Sequence, residues 1–222
     1  MKTKQNAAAC IVTGLIVCLN VAARAAEPSE PASELMVRFG AIVPACEQDW
    51  DRGAQVEAEC RFWQSEHTGV ALSIGSSVWQ ARAEYAESGD AASAIATSVS
   101  GHAALIPMGV SLLYRVPVSP YVRWVLEGGV RYVVVDSSVM ATVDYADAGG
   151  GYYLEDTIRT QNFLQGVVGL SLEGSIAEPL RLVGSVGYQF DLTDPMERFD
   201  GEDLGATSFD GLVFSIGLSG DF

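Results

Sequence analysis

Beyond residue 4 the 222-residue chain contains no lysine. It has two histidines and four cysteines, and its 13 Lys+Arg face 28 Asp+Glu for a formal net charge of −15. So acidic a chain lacks the basic face that a nucleic-acid backbone requires, which argues against nucleic acid as a partner. It also lacks metal-spaced cysteines, a Gly-rich phosphate loop and a Walker pattern, so no metal, cofactor or nucleotide site is expected. After residue 25 no apolar run approaches 18 residues, so no spanning helix is expected. The chain is nevertheless 49% hydrophobic and 18% charged, too apolar for intrinsic disorder. Its 23 glycines follow no collagen period and suit an all-β protein with many turns.

Residues 1–25 read as a secretory signal peptide. Lys2 and Lys4 open it, residues 7–21 form an apolar stretch, and Ala23-Arg24-Ala25 gives a small-x-small cleavage site. The apolar stretch is shorter than the ~20 residues of a spanning helix. Cys18 follows Leu15-Ile16-Val17, but a lipoprotein box takes a small residue where Val17 stands, so lipidation is not expected. Cleavage leaves ten Arg against 28 acids, a net charge of −18. Residues 26–34 then read as a flexible, proline-containing lead-in, and residues 35–222 as one domain. Export places Cys46 and Cys60 where disulfides persist. A bridge between them would close a short loop, yet Cys60 falls inside a strand-like segment and Cys46 in a connection. Bridged and unbridged pairs both stay open.

Eight segments alternate with period 2, the pattern of a strand with two unlike faces. They are residues 35–43, 54–63, 68–84, 102–116, 120–136, 161–174, 179–193 and 208–222. In the second, Ala54, Val56, Ala58, Cys60 and Phe62 oppose Gln55, Glu57, Glu59, Arg61 and Trp63. In the fifth, Val122, Trp124, Leu126, Val130, Tyr132 and Val134 oppose Arg123, Glu127 and Arg131. The connections at 64–67, 117–119 and 175–178 are short. Those at 44–53, 85–101, 137–160 and 194–207 are long and acidic. Short turns at one end and long loops at the other fit an up-and-down barrel across a membrane.

A soluble barrel turns its apolar faces inward and a membrane barrel turns them outward, so periodicity alone leaves both arrangements. Three features favour the membrane. The polar faces mix Gly and Ser with scattered Arg and Glu, as the narrow interior of eight strands demands. Aromatics stand near segment ends (Phe39, Phe62, Tyr114, Trp124, Tyr132, Tyr188, Phe190 and Phe214), as in interfacial girdles. Many segments also exceed the ~9–11 residues that a tilted strand needs to cross hydrocarbon. The expected fold is an all-β, eight-stranded antiparallel up-and-down transmembrane β-barrel. The runner-up is a soluble lipocalin-like barrel.

Residues 105–117 (LIPMGVSLLYRVP), residues 120–132 (PYVRWVLEGGVRY) and the C-terminal FSIGLSGDF of residues 214–222 carry a family resemblance. The chain resembles the small eight-stranded outer-membrane β-barrel family of OmpA/OmpX-type transmembrane domains. The resemblance covers residues 35–222. It implies a cell outer-membrane location, contact with outer-membrane lipid and lipopolysaccharide, and recognition of a last strand ending in Phe222 by the barrel assembly machinery. A monomer is expected.

Ten charges fall on the inward faces: Arg38, Glu57, Glu59, Arg61, Arg115, Arg123, Glu127, Arg131, Glu173 and Arg181, with Asp191 as a further acid near the rim. Buried charges must be paired, and the Arg fork can bridge two carboxylates. A structural polar plug is expected, with a narrow conducting path as the alternative. Asp191, Asp194, Glu197, Asp200, Glu202, Asp203 and Asp210 crowd the last long connection. Such oxygens can hold Ca²⁺ or Mg²⁺, but Asp200-Gly-Glu-Asp-Leu is no EF-hand loop, and a solvated acidic loop is expected. Lipid A deacylases use a His-x-Ser pair on one strand. Here His102 is followed by Ala103-Ala104, and His67 lies in a turn, so no catalytic residue is named and no enzyme is expected.

Overall fold

The computed structural model describes residues 33–45, 50–81, 85–88, 93–137, 139–147, 152–199 and 202–222. These hold fourteen strands and no helix. In chain order they are β1 (Ser33–Pro44), β2 (Trp50–Trp63), β3 (Thr68–Ala81), β4 (Tyr85–Ser88), β5 (Ser93–Ser100), β6 (His102–Ser119) and β7 (Val122–Ser137). They continue with β8 (Val139–Asp147), β9 (Tyr152–Thr160), β10 (Phe163–Ala177), β11 (Leu180–Asp191), β12 (Met196–Phe199), β13 (Glu202–Ala206) and β14 (Gly211–Asp221). Eight of them close into an antiparallel barrel in the order β1-β14-β11-β10-β7-β6-β3-β2. These are the eight segments that alternate in the sequence.

Closure falls between the first and last strands. β1 and β14 pair continuously from Glu34↔Asp221 to Pro44↔Gly211. The eight-stranded barrel therefore has no edge, and every one of its ladder hydrogen bonds is made inside the protein, the condition for crossing hydrocarbon. The faces are inverted relative to a soluble barrel. Leu112 is 71% exposed, Phe39 62% and Val168 49%, whereas Glu173 and Arg61 on the opposite face are buried. This excludes the lipocalin-like arrangement. Phe62, Tyr114 and Trp124 ring the outside toward the short turns. Tyr132, Tyr188, Phe190 and Phe214 ring it toward the other end. Phe190 covers Gly166, its register partner, where a Cβ would stand 2.3 Å from the ring.

Several boundaries differ from expectation. β1 begins at Ser33 rather than residue 35, so Glu34, assigned to a flexible lead-in, is a buried strand residue. Pro120 and Tyr121 form a turn, and β7 starts at Val122. β14 starts at Gly211, and residues 207–210 are irregular.

The larger difference lies in the long connections. Three of the four are not simple loops but carry strand pairs, β4/β5, β8/β9 and β12/β13. These join into a six-stranded sheet in the order β13-β12-β9-β8-β5-β4. That order repeats the order β14-β11-β10-β7-β6-β3 of the barrel strands they adjoin in sequence. β7 passes into β8 across one residue, and β5 into β6 across Gly101, whose φ of 130° lies in the region that favours glycine. The sheet thus continues the barrel wall beyond its rim. Above β1 and β2 no continuation is present among the described residues.

A closed barrel of this kind keeps its shape in detergent until boiled. We expect the refolded protein to change gel mobility on boiling. We also expect Val168→Arg, on the lipid face and level with Gly128, to cost about 2–4 kcal/mol if it sits near the bilayer midplane. Urea titration in lipid vesicles measures that cost.

Candidate functional site

The strand pleat sends Arg38, Glu57, Glu59, Arg61, Arg123, Glu127, Arg131 and Glu173 to the barrel interior, where all are buried. They sort into two layers. In the layer toward the short turns, Glu173 accepts from Arg61 Nη1 and, at 2.8 Å, from Arg123 Nε. Arg123 Nη2 also donates to Glu34 Oε2 at 2.6 Å. Arg61 Nε reaches across the layers to Glu59 Oε1 at 2.5 Å. In the second layer Arg38 Nη2 stands 3.0 Å from Glu57 Oε1, 3.2 Å from Glu127 Oε2 and 3.4 Å from Glu59 Oε2. Arg131 Nη2 donates to Glu57 at 2.8 Å, and Ser111 Oγ to Glu127 at 3.0 Å.

Glu57, Glu59 and Glu127 resemble a cation cage, with carboxylate oxygens within 4.8 Å of one another. The cation at their centre is the guanidinium of Arg38. A tethered charge does here what a metal ion would otherwise do.

The remaining expected pair, Arg115 and Arg181, sits at the short-turn mouth and is only partly buried. Arg181 grips Asp221 with both nitrogens, at 2.6 and 3.0 Å. Arg115 lies over the Trp63 ring at 4.4 Å and donates through Nε to the Glu66 carbonyl. The mouth holds a vestibule of about 310 Å³ lined by Glu34, Glu66, Arg115, Tyr121, Arg123 and Arg181, among others. An inner cavity of about 30 Å³ lies beside the Arg38–Glu127–Arg131 layer, with Ser171, Ser185 and Ser215 in its wall. That is room enough for water.

Several interior residues lie outside the expected set. Glu34 and Asp221 share the parity of Arg38 and Ser219 and were legible by that rule. At the end away from the short turns the interior is largely apolar. Ile42, Trp50, Trp79, Leu105, Val133, Phe163 and Phe209 pack together there, all buried. Phe209 stacks on Phe163 at 5.4 Å with 10° between planes, lies 4.9 Å from Trp50 and meets Trp79 edge-on at 5.4 Å. Trp79 and Phe163 follow the polar parity of their strands, so the inward faces change character along the barrel. Asp191 does stand at the rim, but its oxygens hold Phe209 rather than an interior arginine.

His67 lies in the short turn between β2 and β3, and His102 opens β6 at the opposite end, so the two histidines do not converge. Cys60 lies level with Leu35, not with Val37 as a hairpin centred on the first connection would place it. Its candidate disulfide partner Cys46 is outside the described residues. Phe222 follows β14, and its N–H donates to the Ser33 carbonyl at 3.2 Å.

No family model and no curated protein sequence matches the chain. Solved structures do. The outer membrane protein OprG from Pseudomonas aeruginosa superposes with a TM-score of 0.56 at 16% identity, covering 86% of this chain and 96% of that one. A major outer membrane protein from Thermus thermophilus gives 0.52 at 17%, covering 86% and 100%. Neisserial surface protein A gives 0.51 at 12%, covering 88% and 100%. The chain has the fold of the small eight-stranded outer-membrane barrels.

Removing Arg38 would leave three carboxylates facing one another in a buried interior. We expect Arg38→Ala to cost about 3–5 kcal/mol. Arg198→Ala, which breaks an exposed pair with Asp203, should cost about 0–1 kcal/mol. Urea unfolding of the two refolded variants measures the contrast.

Proposed function

We propose that this is a non-enzymatic outer-membrane protein whose barrel is a sealed support for a surface-exposed wall. The observation that carries this reading is the filled interior. Two ion-paired layers and an aromatic layer succeed one another along the barrel, and the vestibule and the inner cavity are lined by largely different residues. A porin needs a continuous wet path, and eight strands leave little room for one. The six-stranded continuation of the wall is the part that differs most from a minimal barrel, and it lies at the end where such proteins meet the outside. Its surface role is contact with lipopolysaccharide, a host or neighbouring cells. The acidic connections suit cation-bridged contact with lipid phosphates.

Partners inside the cell envelope follow from the same reading. The apolar belt meets outer-membrane lipid, and the last strand with its terminal Phe222 is the segment for the assembly machinery to read. Within the membrane the closed eight-stranded barrel leaves no edge to pair, which favours a monomer there.

Recordings across planar bilayers test the sealed-support reading. The refolded protein should insert without steady openings. Reproducible single-channel steps would replace this reading with that of a small-solute channel.

A further inference from the structure

The aromatic layer depends on one residue that no strand carries. Phe209 belongs to residues 207–210, between β13 and β14, and is 0% exposed. Its flanks are tied to neighbouring backbone, Thr207 N–H to the Pro195 carbonyl at 3.0 Å and the Asp210 carbonyl to Ala45 N–H at 2.8 Å. Its own backbone is held by side chains. Phe209 N–H donates to Asp191 Oδ2 at 2.7 Å, and its carbonyl accepts from Gln189 Nε2 at 3.2 Å and Gln165 Nε2 at 3.5 Å. Asp191 N–H donates in turn to Asp210 Oδ1 at 2.7 Å.

We propose that residues 207–210 form a pH-operated stopper, with Phe209 as the plug and the Asp191 carboxyl as its latch. Asp191 ends β11, beyond the outer aromatic ring at Tyr188 and Phe190, and so stands at the rim outside the hydrocarbon. It faces Asp210 on the stopper, Asp194 beyond the end of β11, and the uncharged Gln165 of β10. Burial beneath the plug pushes its carboxyl up to about 6, Asp210 and Asp194 push the same way, and the bonds from Phe209 N–H and Gln165 oppose them.

With the plug lifted, Asp191 meets water and has the ordinary value near 3.9. The seated state therefore holds the proton more tightly. Its added stability is complete below about pH 4 and is lost as pH rises through about 6. Acid seats the stopper and neutral pH loosens it. Release uncovers Trp50 and Trp79. The ion-paired layers below stay in place, so what opens is a pocket at the end away from the short turns and not a pore. This keeps the stopper independent of the sealed-support reading, which bilayer recordings decide alone.

Tryptophan fluorescence tests it. The chain has four tryptophans, and Trp63→Phe with Trp124→Phe leaves Trp50 and Trp79 as reporters. Acrylamide quenching of the refolded full-length protein, followed between about pH 4 and 8, should rise with a midpoint near 6. Asp191→Asn, neutral at every pH and still an acceptor for Phe209 N–H, should hold quenching low and flat. Asp210→Asn removes a like charge and should move the midpoint to lower pH. Phe209→Ala should give high quenching throughout. A flat profile in the reporter protein, a rise that persists in Asp191→Asn, or reporters that stay shielded in Phe209→Ala would overturn the proposal. The mobility shift on boiling checks that each variant folds. If Asp191→Asn fails that check, the Asp210→Asn midpoint decides, and an unmoved midpoint overturns the latch.

Discussion

A peptide group in hydrocarbon has no water to bond, and that constraint governs this molecule. It requires the last strand to find the first, which β14 and β1 do along their whole shared length. It turns the apolar faces outward, because lipid surrounds the wall. It thereby assigns the other face of every strand to an interior too narrow to hold bulk water. Charges sent there lose their hydration and must recover it from one another. Arginine suits that task because its planar fork reaches several oxygens at once. Arg61 joins Glu59 to Glu173, Arg123 joins Glu173 to Glu34, and Arg38 stands among three carboxylates. The ammonium of a lysine, a compact point charge, would not replace these bridges.

The same narrowness explains the glycines and serines. Long charged side chains come mainly from β1, β2 and β7. The facing strands β10, β11 and β14 answer with Gly169, Ser171, Ser185, Gly187, Ser215 and Gly217. A Cβ at Gly217 would stand 2.3 Å from the Val37 carbonyl and 2.9 Å from Arg38 Cα, and one at Gly109 would stand 2.6 Å from Arg131 Cγ. Where an arginine stem crosses the lumen, the wall beside it gives up its side chain. The abundance of glycine in the composition is thus partly a packing requirement of the charged layers.

Period 2 made the eight barrel strands and ten of their inward charges legible, because lipid on one side and a charged lumen on the other impose a strict alternation. Where that contrast ends, so does the signal. The strands β4, β5, β8, β9, β12 and β13 stand beyond the rim, with no lipid to demand an apolar face. Residues 85–101, rich in Ala, Ser and Gly, therefore read as a loop. Trp50 is displaced from the parity of β2 by the register shift between Trp50 and Gly53. Phe209 lies in no strand, and although it shares the odd parity of Gly211 and Ser215, it is an aromatic where that face is otherwise mostly small or polar. Glu34 was hidden for a different reason: the proline-containing stretch before it resembles a tail, while its own parity matches Arg38.

The gap in the wall above β1 and β2, among the described residues, links these observations. Six barrel strands carry upward and two do not among the described residues, so β13 and β4 become edges. Among the described residues β13 pairs with β12 alone. The chain returning from β13 to β14 leaves the ladder at residues 207–210, and side chains supply hydrogen bonds there that a ladder would otherwise provide. Asp191, Gln165 and Gln189 do so for Phe209. A ladder partner is indifferent to pH, but a carboxylate is not. Residues 207–210 are thus the place where backbone pairing gives way to a titratable contact, and the residue held by that contact is the one that completes the aromatic layer.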